Sequence, residues 1–115
     1  MIKDDQPYLR DILDRIKRIE RYITCGEEAF FSDTLPQDGV IRSFEVIGEA
    51  VKHLSIDLTK KYSGVPWKDI AGMRDKVIHD YLGVDAKLVW KIAQEEIPVL
   101  KQTVEEMLLN FEKAR

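Results

Sequence analysis

Residues 40–51 read Val-Ile-Arg-Ser-Phe-Glu-Val-Ile-Gly-Glu-Ala-Val. Apolar side chains recur in this stretch at spacings of three and four residues, and the same stripe continues beyond it. Its members are Val40, Phe44, Ile47, Val51, Leu54 and Leu58. Such a stripe lies on one face of an α-helix, so we predict a long helix from about residue 37 to about residue 61 that faces a core. Gly48 inside this helix costs about 1 kcal/mol relative to alanine, which predicts a close helix crossing there.

A helix of the same type is predicted before this stretch, from about residue 5 to about residue 24. It begins at Asp4 or Asp5, with Pro7 in its first turn, where the missing N–H costs nothing. Its apolar stripe consists of Leu9, Ile12, Ile16, Ile19 and Ile23. Residues 27–31 can form one helical turn, and residues 32–39 read as a connection.

Two further main helices are predicted after a break at residues 62–66. One starts at Pro66 or Trp67 and is interrupted by Gly83, and the last starts at Asp85 and is kinked or split by Pro98. Four main helices with short connections predict an all-α fold. We expect an antiparallel, up-and-down bundle of four to five helices in a single domain that covers residues 1–115.

The composition is that of a folded protein without bulk affinity for nucleic acid. Of the 115 residues, 44% are hydrophobic and 34% are charged, and the formal net charge is −3. The charge is uneven, since residues 52–76 carry six lysines and arginines against three acids. This basic excess leads into residues 74–81, and a solvated face of mixed charge gives the same pattern.

The chain has one cysteine, Cys25, and two histidines. This set excludes an intrachain disulfide and suits zinc poorly, so we expect no metal and no cofactor, with Cys25 as a small apolar filler. The acidic N-terminal residues lack the apolar run of a signal peptide, and no stretch approaches the ~20 apolar residues of a membrane span. We therefore expect a protein of the reducing cytoplasm that does not enter a membrane.

Residues 74–81 read Arg-Asp-Lys-Val-Ile-His-Asp-Tyr, and they hold the candidate functional residues. On a helical wheel, Arg74 falls in the middle of an apolar stripe, an unusual position for a permanently charged side chain. That stripe consists of Trp67, Ile70, Val77, Ile78 and Tyr81. Arg74 must then be ion-paired at the edge of the stripe, or face a cleft or a subunit interface.

On the same wheel, Tyr81 shares the face of Arg74, whereas His79 lies about 140° away from Arg74. Two arrangements would reconcile this with a common site. Either the helix ends near His79, or a two-fold axis brings together residues of two subunits. A lone histidine is more often structural than catalytic, and Tyr81 alone would suit a core or an interface.

The pattern Arg-x-x-x-x-His-x-Tyr, with Asp75 directly after the arginine, resembles the signature of HEPN-domain proteins. Its His-x-Tyr ending resembles the HepT-like toxins of that superfamily. The helix at residues 41–51, with Ile-Gly-Glu-Ala at 47–50, is similar to a helix of the HepT-like group, and so is the run Trp-Lys-Asp-Ile-Ala-Gly-Met-Arg at 67–74. The resemblance extends over about residues 5–110.

The resemblance implies a helical bundle that forms a homodimer, with the arginine–histidine motifs of both subunits lining one cleft. It also implies a metal-independent endoribonuclease toxin of a type VII-like toxin–antitoxin pair, with RNA, including tRNA, as substrate. The expected partner is a minimal nucleotidyltransferase that serves as antitoxin and in some systems AMPylates the motif tyrosine, which is Tyr81 here.

These residue types suit metal-free cleavage of RNA by its own 2′-hydroxyl. His79 can act as general base or acid, and Arg74 can hold phosphate oxygens as their charge grows. Asp75 would orient a motif side chain or pair with Lys76, and Tyr81 would contact RNA or orient a phosphate. The alternatives are a non-catalytic helical subunit that binds or regulates a nucleotidyltransferase, and a structural helical dimer without a nucleic-acid role.

Overall fold

The computed structural model describes residues 4–114, and most of them are helical. In chain order the helices are α1 (Gln6–Tyr22), α2 (Glu27–Ser32), α3 (Thr34–Lys52), α4 (Ile56–Lys61), α5 (Trp67–Ala71), α6 (Met73–Val77), α7 (Ala86–Lys91) and α8 (Ile97–Lys113). A 3₁₀ turn (Ile23–Cys25) follows α1, and a π turn (Ile92–Glu96) joins α7 to α8. Two short strands, β1 (Ile78–His79) and β2 (Gly83–Val84), form an antiparallel hairpin between α6 and α7.

The long helices α1 and α3 pack against each other and run in opposite directions. At one end, the carboxylate of Asp5 accepts hydrogen bonds from the backbone N–H and the hydroxyl of Ser55, both at 2.7 Å. At the other end, the ring of Tyr22 lies directly against Gly39. The start of α1 therefore lies beside the end of α3, which is the antiparallel arrangement that the sequence predicts for these two helices.

Helix α8 also packs against α1 and runs antiparallel to it. Lys101, in the second turn of α8, donates to the carboxylate of Glu20 near the end of α1 at 2.9 Å. The apolar stripes of all three long helices meet in one core, because each would otherwise expose its stripe to water. The fully buried members of that core are Leu9, Ile12, Ile16, Ile19, Phe30, Val40, Phe44, Ile47, Val77, Val89 and Val104.

Helix α5 crosses α3 in close contact at Gly48, as its position inside a helix predicts. A Cβ atom built on Gly48 would lie 2.7 Å from the carbonyl oxygen of Ala71, a distance that real Cβ atoms essentially never show. Glycine is therefore the residue that lets the two backbones touch. This crossing fixes where α6, the next helix, begins.

The predicted limits of the second helix are wrong at both ends. Helix α3 already begins at Thr34, because Asp33 caps it by accepting from the backbone N–H of Leu35 at 3.0 Å. The stretch predicted as a connection at residues 32–39 is therefore mostly helical, with proline tolerated in the first turn. At the other end α3 stops at Lys52, and Ser55 caps the separate helix α4.

The predicted third main helix is replaced by two short helices and a hairpin. Helix α5 ends at Ala71, and α6 ends at Val77 because Ile78 is extended, with φ −109° and ψ 123°. A three-residue loop then leads to Gly83, whose φ of +73° is readily adopted by glycine alone. Strands of two residues are too short to show alternation in the sequence, so the hairpin was not predicted.

The predictions for the rest of the chain have mixed outcomes. Asp85 caps α7, accepting from the backbone N–H of Leu88 at 3.1 Å, and the π turn interrupts the last helix directly before Pro98, both as predicted. The predicted helical turn after Gly26 is confirmed as α2. The prediction for Cys25 is wrong, since this cysteine is exposed at the end of the 3₁₀ turn rather than packed as a filler.

Candidate active site

The residues of the Arg-x-x-x-x-His-x-Tyr motif lie on two consecutive elements. Arg74 is on α6, His79 is the second residue of β1, and Tyr81 lies in the hairpin loop. His79 pairs with Gly83 across the hairpin, and the backbone N–H of Asp85 donates to the carbonyl of Val77 at 2.8 Å. The hairpin is thus tied back to the end of α6, although its own residues from 79 to 84 are exposed.

Arg74 is ion-paired and half-exposed, with 46% of its side chain open to solvent. Its Nε lies 3.5 Å from Oε2 of Glu45 on α3, and its Nη1 donates to Oδ1 of Asp75 at 3.2 Å. The apolar stripe predicted around Arg74 is wrong, because the helix ends at Val77 and neither Ile78 nor Tyr81 belongs to it. Of the readings left open by the sequence, an ion-paired arginine at a helix edge is the one that this chain adopts.

His79 is exposed and lies just beyond the end of a helix. This is the first of the two arrangements that would reconcile His79 with Arg74, and the wheel angle of about 140° no longer applies. Among residues 4–114, no hydrogen bond or ion pair joins His79 to Arg74 or to Tyr81. Its imidazole is therefore open to a molecule that approaches from outside.

Tyr81 is fully exposed, and Leu82 beside it is nearly so. The prediction that Tyr81 shares a helical face with Arg74 is wrong, because Tyr81 lies in a hairpin loop rather than on a helix. Exposure of the Tyr81 ring and the Leu82 side chain to water is unfavourable because of the hydrophobic effect. Contact with another molecule that covered both side chains would therefore be favourable. The phenolic ring and its hydroxyl are on the surface.

The carboxylates near the motif form ion pairs both with Arg74 and with basic residues outside the motif. Asp75, 81% exposed, pairs with Arg74, whereas Lys76 lies 3.9 Å from Asp69 instead. Of the two roles left open for Asp75, the contact with a motif side chain is the one observed. Glu45 also pairs with Arg42 one turn earlier on α3.

Sequence reasoning missed Glu45 and Arg42 as members of this site. Both lie in the stretch from 40 to 51, on the polar side of the helix that carries Gly48. Their spacing of three residues indicates an ion pair within the helix. The contact to Arg74 depends on the crossing at Gly48, so no local pattern reveals it.

A groove of about 500 Å³ runs beside this cluster, between α1 and α3. It is lined by Tyr8, Asp11, Arg42, Glu45, Val46, Glu49, Ala50 and His53, of which four are charged at neutral pH. His53, the second histidine of the chain, stacks on Tyr8 with 5.1 Å between ring centres and lies 3.5 Å from Glu49. Arg74 and its ion-pair partner Glu45 therefore lie at one edge of a row of charged side chains that continues along α3.

Among residues 4–114, no group of three or more His, Cys, Asp or Glu side chains has the arrangement of a metal site. No helix there has both the length and the apolar character needed to cross a bilayer.

Comparisons with known proteins agree with the motif. The family model described as Ribonuclease HepT-like matches residues 12–107. A protein of Caldanaerobacter subterraneus subsp. tengcongensis named "Putative RNase TTE0752" is 44% identical over 108 residues, which cover 93% of this chain and 96% of the relative. A Thermococcus cleftensis protein named "Probable ribonuclease HepT" is 40% identical over 109 residues, covering 93% of this chain and 98% of the relative.

A third relative is longer than this chain. It is a Methanocaldococcus jannaschii protein named "Gamma-glutamylcyclotransferase and putative RNase MJ0434", 41% identical over 114 residues. The match covers 98% of this chain and 51% of that protein, so the chain spans about half of its length. No solved structure matches the chain significantly.

Proposed function

The chain belongs to the HepT-like family of ribonucleases, and from that premise we propose that it is a metal-independent endoribonuclease toxin. One observation supports the proposal above the others. Within six residues the chain presents an exposed imidazole, His79, and a half-exposed guanidinium, Arg74, on a hairpin and on the helix that directly precedes it. A base and a cation on an open surface suit a polymeric substrate with a phosphate backbone.

The proposed reaction is an internal transesterification of the RNA chain, in which the phosphorus exchanges its bond to a 5′-oxygen for a bond to the neighbouring 2′-oxygen. The 2′-oxygen attacks the adjacent phosphorus as His79 takes the proton of that hydroxyl, so that the 2′-O–P bond forms. The P–O5′ bond then breaks, and the leaving 5′-oxygen receives a proton. Arg74 holds the non-bridging oxygens, where negative charge is greatest in the transition state.

A second copy of the chain would complete this chemistry. The reaction needs one proton acceptor and one donor, whereas each motif carries a single histidine. A homodimer whose motifs line one cleft would supply two imidazoles and two guanidiniums, and an isologous interface places like residues opposite each other. The exposed Tyr81 and Leu82 would lie at the rim of such a cleft.

We further propose a minimal nucleotidyltransferase as the antitoxin partner, with RNA, including tRNA, as the substrate. Tyr81 is the candidate for AMPylation because its hydroxyl is accessible and two residues from His79. An added AMP would bring bulk and negative charge to the place where the RNA backbone must lie. A location in the reducing cytoplasm remains a prediction from the sequence.

The modification is tested by intact mass of the protein co-expressed with its neighbouring nucleotidyltransferase gene. We expect a mass increase in units of AMP, which Tyr81→Phe abolishes while cleavage of RNA is retained. Tyr22→Phe is the matched control, because Tyr22 also exposes its side chain but lies far from the motif in sequence, and it should keep the added mass. Added mass that survives Tyr81→Phe would contradict the assignment.

The activity is tested with protein produced without that neighbouring gene. Purified, unmodified protein should cleave RNA in the presence of EDTA, and binding of RNA should weaken steeply as salt is raised, because phosphate contacts release counterions. Cleavage that appears only on addition of Mg²⁺ would contradict the metal-independent reaction. Comparing tRNA with unstructured RNA in the same assay identifies the substrate class.

A non-catalytic regulatory subunit of the nucleotidyltransferase is the second candidate. Two carboxylates already engage Arg74, and the net charge of −3 does not favour RNA, so both observations fit this reading. Expression without the neighbouring gene distinguishes the two functions. Growth arrest supports the toxin, whereas normal growth together with a stable complex supports the regulatory subunit.

A further inference from the structure

Glu45 lies between two arginines that come from different helices. Its Oε1 accepts from Nη1 of Arg42, and its Oε2 lies 3.5 Å from Nε of Arg74. We propose that Glu45 is a positioning residue, which fixes the guanidinium of Arg74 in the orientation that meets the substrate phosphate. The inference rests on the proposed ribonuclease function, and it assigns to α3 a part in that site.

The backbone crossing of α3 and α5 sets this contact. Gly48 touches the carbonyl of Ala71, and Glu45 precedes Gly48 by three residues while Arg74 follows Ala71 by three residues. Glu45 on α3 and Arg74 on α6 therefore both lie close to this contact, and their side chains meet beside it. Because the crossing leaves no room for a Cβ atom, the distance between the two helices has little freedom.

The pairing leaves one end of Arg74 free. The Nε faces Glu45 and Nη1 donates to Asp75, whereas Nη2 makes no hydrogen bond to any residue among 4–114. A guanidinium has five N–H donors in a fixed plane, so anchoring Nε on one side determines where the Nη2 donors point. These donors are available to a phosphate oxygen without loss of the anchor.

Glu45 is better suited than Asp75 to act as the anchor. Asp75 is 81% exposed and is the direct neighbour of Arg74 on the short helix α6, so it moves with the arginine. Glu45 is 47% exposed and stands on a long helix whose adjacent residue, Phe44, is fully buried. Arg42 holds its other oxygen, which restricts the Glu45 side chain further.

The opposite effect is also physically possible and is an outcome of the test. A carboxylate that merely competed with phosphate for Arg74 would inhibit cleavage, and its removal would accelerate the reaction. The positioning role predicts the reverse, because an unanchored arginine regains rotamer freedom that the transition state must then restrict.

Glu45→Gln tests the proposal, with Glu49→Gln as the matched control one turn further along α3. We expect Glu45→Gln to lower kcat for RNA cleavage about tenfold with little change in KM, since Arg74 acts mainly on the transition state. Glu49→Gln should leave kcat unchanged, and Glu45→Asp should restore part of the loss. In an Arg74→Ala background, Glu45→Gln should cost nothing more, whereas a merely structural role would give additive losses.

An NMR readout separates this inference from the activity itself. The Nε–H resonance of Arg74, assigned by its loss in Arg74→Lys, should shift in Glu45→Gln and keep its position in Glu49→Gln. If wild-type protein does not cleave RNA, both the proposed function and the positioning role fall. If it cleaves and needs Arg74, but Glu45→Gln has unchanged or higher kcat, or the resonance does not move, the positioning role alone is overturned.

Discussion

Replacing His79 with alanine is expected to slow RNA cleavage by about 10²–10⁴, the range typical of a lost general acid or base. The expected loss lies in kcat, because the imidazole moves a proton in the transition state and contributes little to binding of the ground state. His79 is exposed and its side chain makes no hydrogen bond or ion pair within residues 4–114, so the variant should be about as stable as the wild type. His53→Ala is the control, since His53 is the second histidine of the chain and directly follows α3, outside the motif.

Arg74→Ala is expected to have an effect of similar size in the same assay, and Arg74→Lys should recover little of it. Lysine keeps the charge, but it lacks the planar fork that binds two phosphate oxygens and one carboxylate together. Lys76→Ala, which removes a neighbouring cation paired with Asp69, should change cleavage only slightly. Full cleavage by both His79→Ala and Arg74→Ala would show that these residues do not have the assigned roles.

Gly48→Ala is expected to lower the free energy of unfolding by about 1–3 kcal/mol, as overpacking does. The added Cβ atom would lie 2.7 Å from the carbonyl oxygen of Ala71, and a backbone carbonyl moves only if the whole crossing opens. This cost should exceed the gain of about 1 kcal/mol that alanine brings inside a helix. Because Arg74 follows the crossing, cleavage should fall as well.

Gly39→Ala is a matched control on the same helix, measured by urea unfolding beside Gly48→Ala. Its Cβ atom would meet the ring of Tyr22 at 2.3 Å, which is closer still. That ring belongs to a side chain 37% exposed to solvent, so it can rotate away, and the gain in helix propensity then dominates. Gly48→Ala as stable as Gly39→Ala would mean that the crossing is not a tight constraint.

The long helices could be predicted because their stripes record burial directly. Leu9, Ile12, Ile16 and Ile19 are all fully buried, so the residues that recur at helical spacing in the sequence are the ones that face the core in the fold. The end of α3 could not be predicted, since the stripe continues past it through Leu54. The chain turns there because Ser55 is held by Asp5, a contact between residues far apart in sequence.

For the candidate site, the identity of the residues could be predicted from the sequence, whereas their arrangement could not. Arg74, His79 and Tyr81 stand in one short segment, so spacing and residue type could identify them. Their arrangement depends on the helix end at Val77 and on the hairpin, which rests on only two paired residues in each strand. Glu45 joins Arg74 only through the crossing at Gly48, and a contact of that kind leaves no periodic signal in the sequence.

The end groups of the RNA fragments test the central claim most directly. Wild-type protein should cleave RNA in EDTA and leave a 2′,3′-cyclic phosphate, or the 3′-phosphate formed from it, together with a 5′-hydroxyl, because the attacking group is the RNA's own 2′-oxygen. A substrate with a single 2′-deoxy sugar at the cleavage position should remain intact. Fragments that carry a 5′-phosphate and a 3′-hydroxyl, or cleavage of the 2′-deoxy substrate, would contradict the account.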